Sequence, residues 1–92
     1  MRERAPVAAK REGANPQIVR ALSHPTRLEI LVALQGRVAS PAQLAREMDE
    51  RLGVISYHAG TLVRCGCLEV VHLEPRQGSF ERFFRVAPGA AF

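Results

Sequence analysis

Residues 40–66 read SPAQLAREMDERLGVISYHAGTLVRCG, and this stretch decides the fold. It opens on Ser40-Pro41-Ala42-Gln43, a capping box: the serine oxygen accepts from the backbone N–H three residues on, and the glutamine reaches back to the serine N–H. Proline suits the first helical position, where its missing N–H has no partner to lose. Leu44, Ala45 and Met48 give the helix a short apolar face. Asp49 and Glu50 interrupt the pattern and place acidic groups where a following helix presents its positive end. Leu52, Ile55, Ala59, Leu62 and Val63 then fall along one side of a second helix, with Glu50, Val54, Tyr57, Thr61 and Arg64 on the other and Gly66 as the stop. The stretch predicts helix, tight turn, helix.

Upstream, Pro16 with Ile18, Val19 and Leu22 predicts a short helix ending near Ser23. Pro25, capped by Ser23 or His24, starts another that runs to Gly36; Leu28, Ile30, Leu31, Val32 and Leu34 fill most of its circumference, so it is expected to be central and nearly enclosed. Arg37-Val38-Ala39 is long enough only for a connector or one rung of a sheet. Downstream, Leu68–Leu73 and Phe80–Val86 have strand character, with Glu74-Pro75-Arg76-Gln77-Gly78-Ser79 as the turn between them. A lone hairpin needs something to pack on, here the helices. Residues 1–14, with Arg2, Arg4, Lys10 and Arg11 and almost no large apolar side chain, are expected to be a mobile basic tail; residues 15–86 form the domain and 87–92 a short tail.

At 92 residues the chain has room for one core, and at 47% apolar it has the material for one. The 13 basic residues against 9 acidic ones are all arginine but one, a group that stays charged in proteins, so a polyanion is the natural partner. Cys65 and Cys67 stand too close in the chain for an ordinary disulfide and lack the paired spacing of a structural zinc site, which fits a reducing cytoplasm. No apolar run approaches a membrane span, and no membrane association is expected. There is no glycine-rich phosphate loop, no nucleophile and base in a plausible order and no apolar carboxylate pair. Neither catalysis nor a cofactor nor a small-molecule substrate is expected.

The order of elements is that of a winged helix-turn-helix: a mainly α, α+β fold with a three-helix core and a small antiparallel β-hairpin as wing. The residues that carry it resemble the ArsR-like winged-helix regulators over about Ile18–Val86. The carriers are Ala21–Leu31, Leu44-Ala45, Ile55-Ser56-Tyr57-His58, Gly66-Cys67-Leu68-Glu69 and Gly78–Arg85. The resemblance implies a transcriptional regulator that binds double-stranded DNA, with the helix of about residues 51–65 in the major groove and the wing, residues 74–80, on the adjacent minor groove or backbone. On that pattern Ser56, Tyr57 and His58 face the groove with Val54 and Thr61 alongside. Arg51 and Arg64 are candidate phosphate contacts, as are Ser40 and Gln43 at the start of the capped helix, while Arg76, Gln77, Ser79 and Arg82 serve the wing.

Three departures stand out. Gly60 takes a position where the family commonly has a basic residue, Ala59 replaces a usual leucine, and the long C-terminal helix by which many relatives dimerise has no counterpart, which leaves a homodimer open. Cys65 and Cys67 read as core residues rather than a metal site, and His24 and His72 as surface or capping residues. Two other readings stay open: a winged helix that contacts proteins without DNA, and a thiol- or metal-responsive repressor using Cys65 and Cys67.

Overall fold

The computed structural model describes residues 16–89. Four helices, α1 (Pro16–Ala21), α2 (Pro25–Ala33), α3 (Pro41–Glu47) and α4 (Leu52–Arg64), precede two antiparallel strands, β1 (Leu68–Arg76) and β2 (Ser79–Val86). The tail expected over residues 1–14 lies outside the described residues. No helix among the described residues is long and apolar enough to cross a membrane.

Each helix end has a local cause. α2 is capped by His24, whose Nδ1 accepts from the Thr26 N–H at 3.2 Å. α3 begins with the full capping box: Ser40 Oγ accepts from the Gln43 N–H at 3.2 Å and Gln43 Oε1 from the Ser40 N–H at 2.8 Å. It ends in a left-handed cap at Asp49, φ 53°, with the Glu50 N–H donating to the Ala45 carbonyl at 2.9 Å. Gly66, φ 79°, closes α4 the same way, through the Cys67 N–H on the Leu62 carbonyl at 2.9 Å. Asp49 and Glu50 do not cap α4: its N-cap is Arg51, without a side-chain hydrogen bond, and the first turn holds no acid.

The core joins Ile30, Leu31 and Leu34 of α2, Leu44 and Ala45 of α3, and Ile55, Ala59 and Leu62 of α4 to Ala39, Cys65, Cys67, Leu68 and Phe84. Cys67 is fully buried, and desolvation, with Cys65 beside it, pushes its thiol above the ordinary range. The enclosed α2 of the sequence reading needs correction. Leu28 and Val32, one turn apart, are 48% and 64% exposed, because the other elements pack on the Ile30–Leu31–Leu34 side alone.

Ala39 supplies the expected rung: its N–H and carbonyl pair with the carbonyl and N–H of Phe84 at 3.1 and 2.9 Å. The hairpin is longer than the turn cluster suggested. Pairing runs to Arg76↔Ser79, so the turn proper is Gln77-Gly78, with Gly78 at φ 76°. Pro75 sits inside β1 because each strand of a two-stranded ribbon keeps an open side. A bulge between Val70 and His72 shifts the register. The Ala87 N–H donates to the Cys67 carbonyl at 2.9 Å, carrying the pairing one residue into the segment read as a tail.

The left-handed cap at Asp49 yields a stability test. Asp49→Val places a β-branched side chain in a conformation that costs L-residues about 1–2 kcal/mol, whereas Asp49→Gly relieves it. Urea unfolding should show the valine variant destabilised by about that amount and the glycine variant at least as stable as the parent.

Candidate nucleic-acid interface

α4 lies across the core with Ile55, Ala59 and Leu62 fully buried beneath it. With about 100° of rotation per residue, the face turned away from these is that of Gly53, Tyr57 and Arg64. All three are exposed, Tyr57 at 61%. Ser56, Val54 and Gly60 are half-buried on its borders. Arg64 folds back over Gly60: a Cβ there would lie 3.5 Å from Arg64 Nη1, an ordinary contact that the guanidinium could accept.

Three residues expected at the interface do not face outward. Ser56 and His58 are two positions apart, hence about 200° apart around the helix, and cannot face one groove together. The structure turns His58 inward, 7% exposed, where its Nδ1 accepts from Arg27 Nε at 3.2 Å and its ring lies 4.2 Å from that of His24. Thr61 is equally buried; its hydroxyl donates to the Tyr57 carbonyl at 3.2 Å and accepts from Arg64 Nη2 at 3.1 Å. Ser40 is wholly buried and its oxygen is committed to the cap of α3. Gln43 also spends its oxygen there, but the residue is half-buried and lines an open recess with Arg46, Arg76, Glu81 and Phe83.

Between α4 and the wing runs an open groove of about 390 Å³ lined by Pro41, Ala42, Leu52, Ser56, Phe80 and Arg82, among others. Phe80 and Leu52 are 64% and 52% exposed. Leu52, expected on the core side of the helix with Ile55, Ala59 and Leu62, instead lies outside the core because it sits in the first turn at the groove edge, and Phe80 was given no place at the interface. The signal was available: Phe80 alternates with Arg82 and Phe84 along β2, two steps beyond Phe84, the last position on that face that the core covers. Arg76 leans back on Glu81 at 2.7 Å, and Gln77 and Ser79 are exposed at the tip.

The arginines divide in a way sequence could not reveal. Arg37, Arg76 and Arg85 pair with Glu47, Glu81 and Glu69. Arg20, Arg27, Arg46, Arg51, Arg64 and Arg82 pair with no carboxylate among the described residues. Five of these six come from α4, its entry and the elements beside it: Arg20, Arg27 and Arg64 line one flank of α4, Arg51 precedes it, and Arg82 stands in the groove on the other flank.

The family described as "Helix-turn-helix domain" has a sequence model that matches residues 22–71, more than half of the chain. The chain belongs to this helix-turn-helix domain family. Its type is the ArsR-like winged form. The HTH-type transcriptional regulator CmtR of Mycobacterium tuberculosis is 43% identical over 67 residues, 73% of this chain and 56% of that protein, so the chain spans little more than half the length of this curated relative. The crystal structure of an ArsR family transcriptional regulator superposes at a TM-score of 0.64 with 27% identity, over 76% of this chain and 71% of the other. Reduced HlyU from Vibrio cholerae reaches 0.70 at 20% identity over 88% and 81%, a likeness of fold. In this helix-turn-helix domain, α3 and α4 are the paired helices and β1–β2 the wing.

The buried His58 makes the domain sensitive to acid. Desolvation first, then the charges of His24 and Arg27, hold its pKa below the ordinary 6.5, with Glu50 acting weakly the other way. Since its folded value is the lower one, the unfolded chain binds the extra proton between the two; the stabilisation is complete above 6.5 and is lost as pH falls through the folded value. The urea midpoint should fall from pH 7 to pH 5, and His58→Gln, which keeps an acceptor for Arg27, should flatten that fall. An unchanged pH slope in the variant would exclude the coupling.

Proposed function

We propose that this domain is a transcriptional regulator's DNA-binding module, with α4 in the major groove of a duplex and the wing on the adjacent minor groove or backbone. The observation that carries the reading is the set of guanidinium groups without carboxylate partners among the described residues, on both flanks of an exposed Tyr57 ridge. A duplex presents phosphates on either side of the groove that a helix enters, and neutralising them releases counterions. The likeness to CmtR, an HTH-type transcriptional regulator, points the same way.

Within this reading Ser56 and Tyr57, bordered by Val54, meet base edges. Arg51 and Arg64 meet phosphates, as does Gln43 through Nε2. Gln77, Ser79 and Arg82 serve the wing, and Arg76 joins them by exchanging Glu74 and the half-buried Glu81 for a phosphate. His58, Ser40 and Thr61 hold the reading helix and its neighbour in place rather than touching DNA. The role is non-catalytic and its setting the cytoplasm. A homodimer completes the proposal: Val19 of α1, Leu22 just after it, and Leu28 and Val32 of α2 leave apolar side chains in water. A two-fold dimer reads half-sites about 34–36 Å apart.

Selection from a random duplex library tests the whole reading. Tyr57→Ala and Ser56→Ala should change which sequences are recovered and cost about 1–3 kcal/mol on the selected site. Arg51→Gln and Arg82→Gln should weaken all sequences alike and lower the salt slope by about one each. A palindromic consensus supports the dimer; absence of any salt-sensitive duplex binding by the parent protein overturns the proposal.

A further inference from the structure

On the flank of α4 away from the wing lies a cavity of about 300 Å³ lined by Arg20, Arg27, Tyr57, Thr61, Arg64 and Cys65. Its three arginines come from α1, α2 and α4, and no carboxylate among the described residues lines it. Two of the three are tethered. Arg27 donates through Nη1 to the Arg20 carbonyl at 2.7 Å and through Nε to His58 at 3.2 Å, and Arg64 donates through Nη2 to Thr61. These bonds fix each planar fork and leave Arg27 Nη2 and Arg64 Nη1 without a hydrogen-bond partner among the described residues. The Tyr57 hydroxyl adds a donor at the rim.

Three like charges around one cavity repel one another, and no described carboxylate relieves them. The group that suits such a site is a compact anion with several acceptor oxygens, because planar guanidinium forks match that geometry and charge-assisted bonds are the strong ones. The positive field is already felt next door, where Arg27 and His24 help keep His58 neutral. Chloride satisfies one donor direction at a time; a tetrahedral oxyanion answers all three arginines together.

We infer that this cavity is a binding site for a phosphate-type oxyanion. The phosphate comes either from the backbone of a bound duplex, in which case the inference rests on the function proposed above, or from a free phosphorylated small molecule. In the first case the cavity fixes the register of α4 in the groove. In the second, a ligand braces α1, α2 and α4 against one another and alters the pose of Tyr57.

The test titrates inorganic phosphate into the full chain at constant ionic strength and follows the backbone amide resonances of Tyr57 and Thr61 by NMR. Arg20→Gln with Arg64→Gln, both at exposed positions, provides the comparison, and its otherwise unchanged spectrum establishes folding. The expected result is saturable shifts in the parent and affinity at least tenfold weaker in the double variant. Duplex affinity against salt, measured on the same pair, identifies the source. A slope reduced by about 0.9 for each lost contact, with phosphate competing against DNA, assigns the backbone. An unchanged slope, with phosphate still bound in the DNA complex, assigns a free anion and removes Arg64 from the proposed phosphate contacts. Saturable phosphate binding by a parent that binds no duplex keeps the site and overturns the DNA reading. Non-saturable shifts that are equal in both proteins, with unaltered DNA slopes, overturn the site and the phosphate contact proposed for Arg64, and leave the rest of the DNA reading standing.

Discussion

The two reciprocal hydrogen bonds between Ala39 and Phe84 hold this molecule's functional parts in one frame. The wing is a two-stranded ribbon, an element that is marginal alone. Phe84 anchors it twice, once through its backbone on the α2–α3 connector and once through a side chain 2% exposed among the helices. Ala39 itself is fully buried. Ser40, next in the chain, is the cap of α3, so a single three-residue link sets the position of the wing and the start of the first paired helix together. The same link ties the wing, which carries Phe80, to the helices that carry Ser56 on the other side of the groove.

A buried network does for α4 what the Ala39–Phe84 pair does for the wing. His58 is the only imidazole placed in the interior, and its acceptor nitrogen takes the Nε proton of Arg27, which is itself held by the Arg20 carbonyl. A buried acceptor without its donor would carry a desolvation cost of about 1–3 kcal/mol. This fixes the rotation of α4 about its own axis, and that rotation decides which side chains look outward. Tyr57 is therefore presented by the residue beside it in the chain, which faces the other way.

Much of this was legible in the sequence, for identifiable reasons. The capping box at Ser40–Gln43, the stop at Gly66, the rung at Ala39 and the order of helices and hairpin follow from local chemistry and periodicity, which act over a few residues. What failed was azimuth and pairing. The motif Ser56-x-His58 invites a reading as one patch, yet helical geometry separates its ends by more than half a turn. The burial of Ser40 depends on Phe84 and the wing, forty-four positions away. The enclosure expected for α2 assumed partners on every side of an apolar helix, and the described elements cover one side only.

The pairing of the arginines shows most clearly why composition understates the interface. A net charge of +4 is ordinary, and spread evenly it would say little about a partner. The fold does not spread it evenly. Arg37 and Arg85 are neutralised by Glu47 and Glu69 on surfaces away from Tyr57, while the groups flanking α4 keep their charge. Two glycines on the exposed side of α4, Gly53 and Gly60, each carry a helix penalty of about 1 kcal/mol relative to alanine, and the cavity around neither requires a missing side chain. Stability alone would favour alanine at both. Their effect is to leave Tyr57 and Arg64 as the large side chains on that face, with Arg64 lying over Gly60. Charge concentrated at the flanks and bulk removed from the centre are two independent departures from what folding requires, and both occur on the same helix face.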